Sequence, residues 1–242
     1  MRFARFRVDG TEFGGTVDGD EAVAPGIRRP LADVTLLAPC RPSKIVCVGR
    51  NYADHAGEMG NELPKEPLLF FKPPSAVNDP GGSIVYPRQS SRVDFEGELG
   101  VVIGRRCRNV SRDSALEFVL GYTIVNDVTA RDLQKSDGQW ARAKGFDTFA
   151  PVGPWIVSDL DWRNVRLTTR LNGLVKQDSS TGSMIFDVPT LLEYISAAFT
   201  LEPGDVVATG TPSGVGPMQI GDTVAVEIEG IGTLTNRVVA AS

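Results

Sequence analysis

Residues 93–104 read Val93-Asp94-Phe95-Glu96-Gly97-Glu98-Leu99-Gly100-Val101-Val102-Ile103-Gly104, an acidic start that runs into an apolar, β-branched end closed by glycine. The β-branched run bounded by glycine predicts a strand. Side chains two apart share a face of a strand, which sets Asp94, Glu96 and Glu98 on one face and Phe95 and Leu99 on the other. Like charges about 7 Å apart on one face repel. Water resolves that conflict on an exposed edge strand. Here the strand continues into Val101-Val102-Ile103, a run fit for burial. Buried carboxylates must be paired, protonated or bound to a cation, so the pattern points to a site for a hard cation with oxygen ligands.

A second apolar strand, Gly121-Tyr122-Thr123-Ile124-Val125-Asn126-Asp127, delivers a further carboxylate, Asp127, at its end. Carboxylates without a neighbouring Cys or His favour Mg²⁺ or Mn²⁺ over zinc. Two ligands at i and i+2 on one strand and a third from another occupy one side of an octahedron. The remaining positions stay open to water or substrate.

The rest of the chain frames this pair of strands. The 242 residues are 41% hydrophobic and 23% charged, which suits one globular domain with at most a small appendage. The net charge is −5 with acids and bases interspersed, so no basic stripe points to nucleic acid. Cys40, Cys47 and Cys107 are odd in number and lack zinc spacing; they read as reduced thiols of a cytoplasmic protein. Met1-Arg2-Phe3-Ala4-Arg5 enters a strand pattern directly, without an apolar leader, and no apolar run approaches the ~18 residues of a membrane span.

Residues 1–24 alternate as a small β-meander, with turns at Asp9-Gly10 and Asp18-Gly19. Pro25 to Pro42 reads as loop, placing a domain boundary near residue 42. Lys44 to Gly49 is a short buried strand that runs into Arg50-Asn51-Tyr52-Ala53-Asp54-His55-Ala56-Gly57-Glu58-Met59. His55 is the only histidine, and Glu58 follows three residues later, so the two side chains meet on one helical turn. A carboxylate raises an imidazole's pKa and fixes its tautomer, which suits a general base, although an isolated pair of this kind is more often a surface ion pair. Lys72 closes the strand Leu68 to Phe71 and, taken alone, reads as a snorkelling surface lysine.

Ser111 to Phe118 reads as a short helix capped by Ser111 or Ser114, and Thr129 to Ser136 as a second, with Arg131 and Gln134 on one face. Three carboxylates around a divalent cation leave a net −1, which repels an anionic substrate; Arg131, otherwise a helix-surface ion-pair partner of Asp132 or a neighbour, and Lys144 are the candidate cations to offset it. Asn172-Gly173 marks a hairpin, and Asp187-Val188-Pro189 starts a helix through Phe199. The glycine-rich Gly210 to Gly216 lacks the lysine and helix of a phosphate loop.

Several of these segments, in this order, resemble the fumarylacetoacetate hydrolase family. They are Asp94-Phe95-Glu96-Gly97-Glu98-Leu99, Asp127-Val128-Thr129-Ala130-Arg131-Asp132-Leu133-Gln134, Lys144-Gly145-Phe146-Asp147-Thr148, Asn172-Gly173 and Thr209-Gly210-Thr211-Pro212-Ser213-Gly214-Val215-Gly216. The resemblance covers about residues 43–238. It implies a mixed, β-rich α+β fold: a rolled β-sandwich catalytic domain over 43–242 behind a small N-terminal β domain over 1–42. It also implies a homodimer.

The chemistry it implies is metal-assisted handling of small anionic 2-oxo and β-dicarbonyl acids. Glu96, Glu98 and Asp127 are then the ligands of Mg²⁺ or Mn²⁺. Lys144 supports an enolate, with Arg131, Gln134 and Thr211 at the substrate and Lys72 as a candidate anion contact. His55 and Glu58, on a mobile segment, activate water. The expected reaction is cleavage of the C–C bond beyond C3 of an acylpyruvate, oxaloacetate or fumarylacetoacetate-like acid, by hydrolysis or decarboxylation. The alternatives are an isomerase or decarboxylase of 2-hydroxyhepta-2,4-diene-1,7-dioate-type acids in aromatic catabolism, and an inactive metal-dependent binding protein.

Overall fold

The computed structural model describes residues 1–54 and 63–241. His55 and Glu58 lie outside the described residues, as do the residues between them. Among the described residues the chain is strand-rich with few helices, and its sheets mix parallel and antiparallel pairs.

The strand Gly97–Ile103 sits near the middle of the largest sheet. It pairs antiparallel with Val119–Asn126 on one side and with Val206–Ala208 on the other. Every residue in it is buried. Leu99, Val101 and Ile103 enter one apolar cluster, and Val102 enters a second on the opposite face. Burial on both faces is why the sequence runs Val-Val-Ile instead of alternating with polar residues.

The first cluster lies between this sheet and a five-stranded one ordered Leu174–Ser180, Arg166–Leu171, Thr223–Ile228, Gly232–Ala240, Ser83–Tyr86. The helix Val188–Ala198 covers it with Val188, Leu191, Leu192 and Ile195, the i, i+3, i+4, i+7 face of an amphipathic helix. Asp187 caps that helix by accepting from the Thr190 amide at 3.0 Å, as the sequence predicts. The Asn172-Gly173 hairpin forms too, with φ of 52° and 82° at its two turn residues.

Three expectations change. The segment from Val93 to Ile103 is not one strand. Val93–Phe95 belongs to a separate three-stranded sheet with Thr129–Ala130 and Gly216–Met218, and the chain crosses into the large sheet at Glu96. The crossing is held by backbone bonds: the Glu96 amide donates to Asn126 Oδ1 at 3.0 Å, and the Glu96 carbonyl accepts from the Asp127 amide at 2.8 Å. Residues 25–42 are not all loop; Ile27–Pro30 and Thr35–Leu37 are strands. Ser111 to Phe118 holds only a 3₁₀ turn, Ala115–Phe118, and no side chain caps it.

The N-terminal strands carry a small apolar cluster of their own around Ala4, Phe6, Val17 and Ala22. They also continue the large sheet, because Arg2–Val8 pairs with Ala150–Val157. Among the described residues no helix is long and apolar enough to cross a membrane.

Candidate active site

The site forms where three chain segments meet at the sheet switch. Gly97 stands opposite Asn126 and Glu98 opposite Val125, so Asp127, the next residue out, ends beside the two glutamates. One carboxylate oxygen from each of Glu96, Glu98 and Asp127 lies within 4.8 Å of the others, and all three residues are buried. Gly97 makes the crossing possible: a Cβ there would sit 2.3 Å from Thr169 Oγ1 and 2.9 Å from a Val226 methyl. The third segment is the loop after Val206–Ala208. Its Gly210 amide donates to Glu98 Oε2 at 2.8 Å.

Three buried cations answer these carboxylates. Lys144 Nζ lies 2.8 Å from Glu96 Oε2 and 2.6 Å from Asp127 Oδ2. Burial pulls its pKa down, but Asp127 and Glu96 outweigh that and hold it above the ordinary lysine value. The two carboxylates thus favour its ammonium form. Arg131 donates to Asp94 Oδ2 through Nε at 3.0 Å, to Glu96 Oε1, and to Gln134 Oε1 through NH1 at 2.8 Å. Its bond to Gln134 Oε1 leaves the Gln134 amide protons for the cavity.

Lys72 is fully buried and does not line the cavity. Its Nζ donates to the carbonyls of Val128 at 2.9 Å and Lys144 at 2.5 Å, and stands 2.7 Å from Asp127 Oδ1. It is therefore neither a snorkelling surface lysine nor placed as an anion contact; it ties Asp127 to the backbone of Lys144. Asp94, grouped with the glutamates by strand periodicity, turns to Arg131 and to Arg92 Nε at 2.9 Å. The sheet switch at Glu96 separates it from the triad.

Burial, then the neighbouring charges of Asp127 and Glu96, push Glu98 well above the usual carboxylate range, while Lys144 and the Gly210 amide pull the other way. Four buried carboxylates, Asp94 included, thus face three buried cations among the described residues. A divalent cation fits this set. Its donors are all hard oxygens, and one carboxylate oxygen from each of the three residues lies within 4.8 Å of the others. Such an ion adds two positive charges to the site, which favours an anionic ligand.

The triad opens into a cavity of about 310 Å³, a size for a small molecule. Its wall includes Arg131, Gln134, Lys144 and Thr211, together with Arg50, Phe70, Lys135 and Trp140. Phe70 and Trp140 meet edge to face at 5.3 Å, and Lys144 Nζ is 4.7 Å from the Phe70 ring centre. The Thr211 hydroxyl is already engaged, donating to the Gly97 carbonyl at 2.9 Å and accepting from Gln177 Nε2 at 2.7 Å. Gln177 also accepts from the Gly97 amide at 3.0 Å. Neither Gln177 nor Asn126 carries any local sequence signal for this role; only the pairing of distant strands brings them here.

Residues 44–239 match the sequence family described as fumarylacetoacetate (FAA) hydrolase, C-terminal. The chain belongs to the fumarylacetoacetate hydrolase family. Within it, the chain is 44% identical over 223 residues to the oxaloacetate tautomerase YisK of Bacillus subtilis, covering 86% of this chain and 74% of that one. Its structure is similar to that of a 2-hydroxyhepta-2,4-diene-1,7-dioate isomerase from Mycobacterium marinum: TM-score 0.92, 48% identity, covering 100% of this chain and 99% of the other. It is also similar to a fumarylpyruvate hydrolase from Pseudomonas aeruginosa solved with Mn²⁺ and pyruvate, with TM-score 0.78 and 36% identity, covering 84% and 91% of the two chains. The family assignment and the β-rich fold expected from the motifs both hold, and the acidic triad lies in the part of the chain that the family covers.

Proposed function

We propose that this fumarylacetoacetate hydrolase family member is a Mg²⁺- or Mn²⁺-dependent enzyme that interconverts keto and enol forms of small 2-oxo acids. The observation that carries this reading is the convergence of Glu96, Glu98 and Asp127 against Lys144 at the floor of the cavity. A divalent cation held by Glu96, Glu98 and Asp127 would supply Lewis-acid polarisation to a 2-oxo acid. The Lys144 ammonium offers fixed positive charge where negative charge develops as a proton leaves C3. Arg131 holds Glu96 in orientation and leaves Gln134 as an amide donor toward the ligand. For the base at C3 we take His55 with Glu58, the pair that the family resemblance implies for activating water. The similarity to relatives named for oxaloacetate tautomerisation and hydroxyheptadienedioate isomerisation supports enolisation as the shared step.

The likeness to the fumarylpyruvate hydrolase favours a second reading, in which the same enolate-stabilising site also cleaves the bond beyond C3. Hydrolysis there needs an activated water, whereas decarboxylation of oxaloacetate does not. The test follows the ultraviolet absorbance of enol-oxaloacetate with added Mg²⁺, beside acetopyruvate hydrolysis and pyruvate release from oxaloacetate. Faster keto–enol exchange in the wild type, lost in Glu96→Gln, is expected. Full activity after exhaustive chelation would sink the metal-dependent reading. Cleavage outrunning tautomerisation would install the second.

A further inference from the structure

The cavity holds two basic side chains that the triad does not use. Arg131 and Lys144 are committed to carboxylates, and Lys72 lies behind them. Arg50 and Lys135 line the same cavity and have no ion pair or hydrogen-bond partner among the described residues. We propose that Arg50 and Lys135 form a second, distal anion subsite that selects 2-oxo acids bearing a second carboxylate. This rests on the reading above, that the triad end binds a 2-oxo acid.

Two independent placements support it. Lys135 follows Arg131 by four residues on the helix Arg131–Ser136. Residues four apart share a helix face, and four steps of 1.5 Å set Lys135 about 6 Å along the axis from Arg131. Arg131 is buried and touches Glu96; Lys135 is exposed. The helix thus carries one cation at the triad and a second about one turn away.

Arg50 arrives from another element, directly after the strand Ile45–Gly49. Its φ is +58°, a left-handed conformation that costs a residue with a long side chain about 1 kcal/mol or more. The next residue holds it there. Asn51 Nδ2 donates to the carbonyls of Thr209 at 2.8 Å and Phe186 at 3.0 Å, and Asn51 Oδ1 accepts from the Phe186 amide at 2.8 Å. Asn51 also packs where a Cβ on Gly210 would meet its own Cβ at 2.7 Å, so the turn cannot relax toward the loop that binds Glu98. A strained arginine at a cavity wall, with no partner for its guanidinium among the described residues, is arranged for a ligand.

The cavity wall also carries apolar and aromatic surface, Val48, Phe70 and Trp140, with Trp140 packed edge to face on Phe70. That lining suits the carbon chain joining two carboxylates. A monoacid would leave Arg50 and Lys135 to water. A diacid gives each a charge-assisted bond.

The experiment measures kcat/KM for oxaloacetate and for acetopyruvate, whose distal group is neutral, in wild type, Arg50→Asn and Lys135→Gln. Asparagine tolerates the left-handed backbone, and Lys135 is exposed on its helix, so at least one variant folds. Calorimetry with Mg²⁺ adds the dissociation constants of oxalate, which mimics the reacting end alone, and of 3,3-difluoro-oxaloacetate, which has both ends and no proton to lose at C3. The expected result is a wild-type preference for the diacid that falls about tenfold or more in each variant. Binding of the difluoro compound should weaken far more than binding of oxalate. Wild-type oxalate binding without any preference for the diacid, or a preference unchanged in both variants, overturns the distal subsite and leaves the proposed function standing. Failure of the wild type to bind oxalate with Mg²⁺ overturns the proposed function, and the subsite with it.

Discussion

Replacing Lys72 by methionine keeps most of the side-chain volume and removes one buried charge. Lys72 Nζ stands 2.7 Å from Asp127 Oδ1, and both side chains are essentially without solvent access. At an effective dielectric of ~20 that attraction is about 6 kcal/mol, and desolvation of the two ions takes back much of it. Removing one partner of such a pair costs about 3–5 kcal/mol, because the other charge stays buried. The carbonyls of Val128 and Lys144 also lose their donor. For a chain of this size the melting temperature of the metal-free protein should drop by roughly 10 °C. The mutant site carries one more net negative charge, so Mg²⁺ should restore more stability in Lys72→Met than it adds to the wild type. Circular-dichroism melts with EDTA and with a Mg²⁺ series measure both. An unchanged melting temperature with EDTA, or an equal Mg²⁺ increment in the two proteins, would refute the assignment of Lys72 as the buried counter-charge of Asp127.

Lys144→Met should lower kcat/KM for every 2-oxo acid by a factor of roughly 100 or more, the cost of losing a fixed oxyanion stabiliser; steady-state assays on oxaloacetate and acetopyruvate check it. Asp205 is a structural counterpart. It is buried and accepts from the amides of Ser43 at 2.9 Å, Lys44 at 3.1 Å and Glu202 at 2.8 Å, and from the Ser43 hydroxyl at 2.7 Å. Asp205→Ala should cost about 3 kcal/mol in urea unfolding by stranding these donors. Burial raises the Asp205 pKa, but the Glu202 amide, Lys44 and Ser43 outweigh it and bring the value below its ordinary 3.8. A depressed folded-state pKa stabilises above the unfolded value and is lost as pH falls. The difference between wild type and Asp205→Ala should therefore be full above about pH 4 and shrink in more acid solution, which unfolding curves across that range would show.

Much of the site was legible in the order of residues because strands and helices repeat on short periods. The alternation Glu96-Gly97-Glu98 and the placement of Asp127 at the end of an apolar strand were enough to propose three converging carboxylates. The spacing of Arg131 and Gln134 was enough to put them on one face, and the structure joins them by a hydrogen bond. Family motifs in order added the fold. The same periodicity misled at Asp94, since it assumes that one strand continues. A buried backbone takes whichever partners complete its hydrogen bonds, and at Glu96 those partners are Asn126 and Asp127, on another strand.

Tertiary structure alone decided what each charge is for. The sequence placed Lys72 on an apolar strand and left open whether it meets solvent or ligand. The fold buries it behind Asp127, out of reach of the cavity. Thr211 was expected at the substrate; the fold spends its hydroxyl on Gly97 and Gln177. Arg50 gave no signal beside His55, and the bonds of the neighbouring Asn51 to Thr209, Ile185 and Phe186 hold the segment at the cavity wall. The cause is common to all three. Residue type and local spacing determine which groups a chain can present and on which face. The partner that satisfies a charge or a hydrogen bond comes from segments far away in the chain, 56 residues for Lys72 and Val128 and 158 for Asn51 and Thr209, and no local pattern encodes that meeting.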